Sequence, residues 1–461
     1  MNPLFNPLFL PRVLKWYLED PHKLHRMNNE ELQTYQNTAF KTMLNYAYTI
    51  PLYREKYKAA GIKPQDVQGV EDIKKLPGIT KEDLRRNFPT RVVPPSFQTR
   101  NAVVAATSGT TGRSLSLYSD FSTVIRSMLG FRRALLEHDI PWQKTRMSLL
   151  LDLSENSFEN EYFLQTTLST MKRIIPLRQL QILDILSPPK DLIEHINRFE
   201  PEVILGYPFV ILQLATLKMK GFGKNIAPKW IATSGAVFDR YSRLFVEEAF
   251  HTTLFDIYAA TESGIIAFEC KHGRYHVCSD LVFLEYLHDG TDVSAGHPGR
   301  LTLTRLYGGG TPLIRYQGID DIVTVSPKEC TCGLAGDILK GIHGRRSHSI
   351  VLPDGNIALT SVFEQCIGKV LYELNVNKIK RIQIVQNRID AIELRILFNT
   401  DDRDVVCSAE DTLSLIYQAL QERLGIQLEI KLVEVERFDE KAPYVLSTVD
   451  RTRISEKNYI V

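Results

Sequence analysis

Between residues 100 and 340 short β-rich runs, "MSLLLDL", "EVILGY", "KWIATSG", "TLFDIYAAT" and "RLTLTRL", alternate with segments of helical periodicity such as 238–250. Strands that alternate with helices leave few architectures open, because each helix has to cover a sheet face that would otherwise meet water, and this order predicts a layered α/β domain. Ahead of it, residues 29–60 carry apolar positions at helical spacing, are interrupted at Pro51 and run into a glycine, which predicts helices with a break at that proline. After "GIHGRRSHS" the texture changes: "IKRIQIVQNRIDAIELRILFN", "SAEDTLSLIYQALQERLG" and "IQLEIKLVEVERF" read as strands, a helix and a further strand. A small α+β domain of about 115 residues fits that order. At 461 residues the chain exceeds the roughly 250–300 at which a single core stops growing. We therefore expect a large, multi-subdomain N-terminal domain over 1–343 and a small C-terminal domain over 344–461, joined near 344–347 by a short hinge.

Charge and hydropathy exclude several classes of partner. The net charge is +2, and no dense Lys/Arg stripe is interleaved with aromatics, so nucleic acid is not the indicated partner. The longest apolar run, "VILGYPFVILQLATL", is short of the ~18 residues of a membrane span and contains Pro208 and Gln213. The opening "MNPLFNPLFLPRVLKWYLED" has no basic n-region and no small-residue cleavage site, which predicts a cytoplasmic chain without an integral membrane segment. Six cysteines are too few for a disulfide scaffold in a chain of this length, and their clustering carries more information than their number.

The stretch Thr107-Ser108-Gly109-Thr110-Thr111-Gly112-Arg113-Ser114 packs five hydroxyls and two glycines behind the apolar "NAVVAA". Glycines let a backbone turn tightly and approach a ligand, and hydroxyls with exposed amides can donate to phosphate oxygens, so a nucleotide is the first suspect. Three further stretches follow in order. "YAATE" at 258–262 resembles the aromatic-x-x-Thr-Glu motif of adenylate-forming enzymes, "RYQGIDDI" at 315–322 their Tyr-x-x-x-Asp motif, and "GRRSHSIVLPDG" at 344–355 their Gly-Arg hinge motif. Within that superfamily the chain is similar over most of its length to phenylacetate-CoA ligases and their relatives. The segments "LYREKYKAAGI", "LPGITKEDLRRNFP", "ECKHGRYHVCSDLVFLE", "PLIRYQGIDDI" and "CTCGLAGDILKGIHGR" carry that narrower likeness.

The resemblance implies an AMP-forming ligase that joins a small carboxylic acid to ATP as an acyl-adenylate and passes the acyl group to coenzyme A. Residues Thr107, Ser108, Gly109, Thr110, Thr111 and Gly112 would hold the β- and γ-phosphates, with Arg113 adding charge. Thr261 would contact the α-phosphate and Glu262 would ligate Mg²⁺, a hard cation that takes one or two carboxylates. Asp320 would bind the ribose hydroxyls, with Asp321 an alternative. Ser234, Gly235, Ala236, Tyr258 and Ala259 would border the nucleotide and Arg345 would reach it from the hinge. Tyr207, Gly235 and Ala260 would line the acyl pocket. The lysine that closes the adenylation site in the superfamily best matches Lys441, although Glu440 stands before it where glycine is usual; Lys457 is the fallback. At the hinge, Ser347 and His348 replace the usual acidic pair. The hinge departure admits an amine acceptor or simple nucleotidyl transfer as an alternative, and the unusual context of Lys441 admits a catalytically silent nucleotide binder. A homodimer is also left open.

Cys270, His272, His276 and Cys278 lie within nine residues, and "CTC" adds Cys330 and Cys332. Two such pairs brought together by folding would satisfy the tetrahedral N/S preference of zinc. Relatives of the family carry such a site, and their spacing through Asp280 and Glu285 implies Cys270, His276, Cys330 and Cys332 as ligands, with His272 or Cys278 able to replace His276. Four protein ligands leave no open position, so the ion would be structural.

Overall fold

The computed structural model describes residues 9–106, 115–155, 157, 159–160, 179–374, 379–398, 409–425, 428–438, 443–451, 454 and 457–461. Its centre is a twelve-stranded mixed sheet. One half is parallel, in the order Leu180–Asp184, Met147–Leu151, Val203–Gly206, Trp230–Ser234 and Thr253–Ala260. The other half is antiparallel and continues through Gly264–Glu269, Tyr275–Val277, Ile338–Arg345, Asp321–Val325, Pro298–Arg305, Val282–His288 and Thr291–Asp292.

The parallel half answers to the alternating pattern. Helices Pro189–Phe199, Pro208–Met219 and Arg240–Phe250 connect its strands, and Ile193, Ile196, Ile211, Leu214 and Val246 pack on Ile204 and Ile231 of the sheet. The expected break at Pro51 is observed. Helix Asn29–Tyr48 opens on a capping box between Asn28 and Glu31, and Pro51 begins a second helix, Pro51–Ala59, where its missing N–H costs nothing. These helices bury Phe40, Leu44, Tyr53 and Tyr57 against Leu301, Leu303 and Val323 of the antiparallel half and against Tyr316, which bridges to Leu303.

Arg133, on helix Phe121–Glu137, is buried and ties this assembly together. Its guanidinium donates to both Asp280 oxygens at 2.6 and 2.8 Å and to the Asp20 carboxylate at 2.8 Å, joining the N-terminal arm to the sheet. Burial alone would raise the Asp280 carboxyl, but the charge and hydrogen bonds of Arg133 hold it well below the usual carboxylate range.

The chain after Ser349 forms a four-stranded sheet, ordered Glu429–Glu434, Ala391–Phe398, Ile379–Arg388, Val445–Ser447, and a three-stranded one made by Ile350–Val351, Ile357–Ala358 and Tyr459–Ile460. Helices Thr360–Glu373 and Ala409–Leu424 cover a separate core of Val362, Phe363, Ile384, Leu394, Ile416 and Leu420. The last strand of the large sheet runs through Arg345, and a short 3₁₀ turn, Arg346–His348, leads to the second core.

Candidate adenylation site and metal-ligand cluster

Three segments that hold expected site residues leave the sheet side by side: "LGYP" at 205–208, "TSGA" at 233–236 and "YAATE" at 258–262. Gly206 pairs with Thr233 and Ser234 with Ile257, so "LGYP", "TSGA" and "YAATE" emerge from the carboxyl ends of three adjacent parallel strands. That edge is where open α/β sheets bind ligands. The Ser234 hydroxyl donates to the Ile257 carbonyl at 2.8 Å, fixing the spacing of the second and third segments. Gly235 adopts φ +93°, and a Cβ there would come 2.6 Å from Cε1 of Tyr207, so the first two segments touch at a position that only glycine fits.

Ala259, Ala260 and Thr261 are half-buried at the end of their strand, and Glu262 is buried beyond them. The Tyr316 hydroxyl donates to Glu262 Oε1 at 3.2 Å, and Lys81 Nζ lies 3.6 Å from the same oxygen. Lys81 belongs to the quoted "LPGITKEDLRRNFP" but not to the residues singled out from sequence. Its place is fixed two residues earlier, where Ile79 N–H donates to the Arg315 carbonyl and Gln317 N–H to the Ile79 carbonyl, both at 2.9 Å.

The neighbouring aspartates face different partners. Asp320, at φ +66°, accepts the Ser347 N–H at 2.9 Å and lies 3.2 Å from Arg300, which links it to the segment expected to be the hinge. Asp321 accepts the hydroxyl of Tyr258 at 2.5 Å and lies 3.7 Å from Arg345. The expected phosphate-loop residues 107–114 and the pair Glu440–Lys441 lie outside the described residues. The strands flanking that loop, Val103–Ala106 and Ser116–Ser119, pair antiparallel as a hairpin. Lys457 is exposed, and its backbone N–H donates to Gly355.

Beneath the site, buried Asp256 accepts the Thr233 hydroxyl at 2.6 Å and the Tyr275 hydroxyl at 2.9 Å. Burial pushes its carboxyl up to about 7 against the pull of the Thr233 hydrogen bond, with the charge of Glu269 adding to the rise. A folded-state value above the unfolded ~3.9 means that the folded chain holds this proton more tightly. The resulting stability is complete below about pH 4 and is lost as pH rises through about 7. Asp256→Asn should therefore flatten the decline in melting temperature measured from about pH 5 to pH 8; an unchanged slope would assign the decline to other groups.

The second constellation is a cluster of potential metal ligands. The donor atoms of Cys270, His276, Cys330 and Cys332 all lie within 4.8 Å of one another. Cys270 Sγ and Cys330 Sγ are 3.8 Å apart, and Cys332 Sγ is 3.1 Å from His276 Nε2. Two thiolates on one tetrahedral zinc stand ~3.8 Å apart, from Zn–S bonds of ~2.3 Å, so the donor set fits such an ion. Burial pushes the His276 imidazole down to about 4, leaving it neutral with Nε2 facing the sulfurs. Of the other two candidates, Cys278 is buried where its thiol feels Arg133 and Asp280, and His272 is exposed and offers a backbone N–H to Cys270. A cavity of about 390 Å³, lined in part by His25, Glu137, His272 and Cys332, opens beside the cluster; no described residue of the four motifs lines it.

A mixed sheet of this order, with these segments at its carboxyl edge, agrees with the expectation of an adenylate-forming fold. No family model matches the chain. It is 25% identical over 422 residues to phenylacetate-coenzyme A ligase of Escherichia coli (strain K12), covering 88% of this chain and 91% of that one. It is 24% identical over 367 residues to phenylacetate-coenzyme A ligase of Thermus thermophilus, covering 74% and 76%. Among solved structures it superposes on 2-hydroxyisobutyryl-CoA ligase in its postadenylation state with a TM-score of 0.73 and 18% identity, covering 92% and 90%. Over most of its length the chain is thus similar to phenylacetate-CoA ligases, and it shares the fold of a solved acyl-CoA ligase.

Proposed function

We propose that the chain is an ATP-dependent, AMP-forming acid–thiol ligase that activates a carboxylic acid as its acyl-adenylate and transfers the acyl group to coenzyme A. The observation that carries this reading is the convergence of "LGYP", "TSGA" and "YAATE" on one sheet edge, with Glu262 held between Tyr316 and Lys81. Phosphoryl chemistry asks a protein mainly to position the reactants and neutralise charge. Thr261 would sit at the α-phosphate, Glu262 would hold Mg²⁺, Asp320 would take the ribose and Tyr258 would border the base. Tyr207 and Gly235 would bound the acyl group. Lys441 keeps its assignment as the closing lysine, and residues 344–461 are read as the unit that carries it. We assign zinc to Cys270, His276, Cys330 and Cys332 as a structural ion.

The test is exchange of labelled pyrophosphate into ATP across a panel of acids, followed by trapping with CoA or with amines. Exchange followed by thioester formation is expected. Exchange that yields only amides would move the acceptor to an amine, and no exchange with any acid would favour a silent nucleotide binder. Lys81 makes a further prediction. Its ammonium lies 3.6 Å from the carboxylate assigned to Mg²⁺, so on this reading it would add positive charge beside the phosphates. Lys81→Met, which keeps the apolar stem, should lower exchange by about 10²-fold at unchanged melting temperature. Parental rates would reduce Lys81 to a structural partner of Glu262.

A further inference from the structure

We propose that Glu159 selects for a carboxylic acid whose acyl group carries a hydrogen-bond donor, a hydroxyl or an amino group; the inference rests on the adenylation reading above. Strand Met147–Leu151 is the parallel neighbour of Val203–Gly206, so the chain after Leu151 leaves the sheet next to Tyr207. The turn that follows is closely hydrogen-bonded. The Ser157 hydroxyl donates to the Asp152 carbonyl at 2.6 Å, Asn160 N–H to Ser157 Oγ at 3.1 Å, and the Asn160 amide to the carbonyls of Leu153 and Ser154 at 3.2 Å each. That turn presents Glu159 to Tyr207, whose hydroxyl donates to Glu159 Oε1.

Tyr207 thus stands between two things: the Glu159 carboxylate at its hydroxyl and Gly235 of "TSGA" against its ring. Phe209 follows with its ring 5.9 Å from that of Tyr207, and it is 53% exposed. The result is an aromatic wall that ends in a half-buried carboxylate. Burial raises the carboxyl of Glu159 while the Tyr207 hydrogen bond pulls it back down.

A carboxylate has about four acceptor positions, and the Tyr207 hydroxyl fills one of them. An acyl group without a donor would strip water from Glu159 and return nothing. One with a hydroxyl or amino group replaces that water. Sites built to hydrogen-bond a substrate hydroxyl or amine reject analogues lacking it by as much as ~10⁴–10⁵. For a half-buried partner we expect about 10²-fold.

The experiment measures pyrophosphate exchange in the presence of Mg²⁺ on matched acids: phenylacetate against 4-hydroxy- and 4-aminophenylacetate, and straight-chain acids with and without a terminal hydroxyl or amine. The parent chain, Glu159→Gln and Tyr207→Phe are compared. The parent should favour donor-bearing acids, and Glu159→Gln, which loses the charged acceptor, should lose most of that preference. Tyr207→Phe, which frees the carboxylate but keeps the ring, should retain the preference. Equal parental rates on both members of each pair would overturn the proposal without touching the adenylation reading, whatever the variants do. Equal losses on every acid in both variants would reduce Glu159 to a prop for Tyr207 and would also overturn it. Absence of exchange with every acid would overturn the adenylation reading itself, and this inference with it.

Discussion

Glu262→Gln should lower carboxylate-dependent pyrophosphate exchange by about 10²–10³-fold while leaving the melting temperature within a few degrees of the parent. The substitution keeps an oxygen for the Tyr316 hydroxyl, which donates to Oε1 at 3.2 Å, and removes only the charge. That charge is buried, and its cationic neighbour among the described ion pairs is Lys81 at 3.6 Å. A lone buried carboxylate with an ammonium beside it can be a simple ion pair. In that case the variant would lose stability and keep its rate. If instead the carboxylate serves a divalent cation, the rate falls and rising Mg²⁺ recovers part of it, because a weakened ligand set is filled by mass action. Raising ATP or the acid alone would not give that recovery. Normal exchange at ordinary Mg²⁺ would remove Glu262 from the reaction.

What could be read from the sequence was what local order encodes. The alternation of strand and helix gave the parallel half of the sheet, and Pro51 marked the start of a helix. The "CxxxxxH" and "CTC" pairs were close enough in sequence to suggest a donor set, and folding brings one of its histidines to the sulfurs. Strand Tyr275–Val277 turns His276 toward the sulfurs, while His272 is left exposed before the strand begins. The antiparallel half of the sheet was not resolved strand by strand, since its strands are set by pairings such as Val282 with Arg305 that local texture does not encode. Lys81 and Glu159 escaped for the same reason. Lys81 becomes informative only because a bridge between Ile79 and Tyr316 carries it across the fold to Glu262. Glu159 looks like one more polar residue in "SENSFENE" until two parallel strands set it against Tyr207. The hinge expectation gained a contact that sequence could not supply: the Ser347 N–H on the Asp320 carboxylate joins the residue assigned to the ribose with the segment assigned to domain movement.

Removing the metal should be the larger test of stability. The purified chain should contain about one zinc per polypeptide, and Cys332→Ser should abolish that stoichiometry and lower the melting temperature by at least about 5 °C. The reasoning follows from what the ligands connect. Cys270 directly follows strand Gly264–Glu269, the immediate neighbour of the strand that carries "YAATE", and Cys330 and Cys332 lie in the loop between strands Asp321–Val325 and Ile338–Arg345. An ion bound at all four donors would pin that loop to the sheet. A ligand that binds only the folded state stabilises it by about 4 kcal/mol when its free concentration is a thousandfold above Kd, which sets the expected scale. Burial pushes the Cys332 thiol up to about 12, so without a cation it remains a neutral thiol and contributes no ion-pair energy. The cavity lined by His272 and Cys332 gives a chelator a route to the cluster, so prolonged chelation should reproduce the variant's melting temperature, and added Zn²⁺ should restore the parent but not Cys332→Ser. Pyrophosphate exchange at low temperature should survive in both, because the ion is assigned to the scaffold. If exchange is lost on chelation while the melting temperature holds, the ion acts in the reaction and the structural assignment fails. A parent chain that purifies without metal and is indifferent to chelators would leave these four residues as a packed thiol cluster.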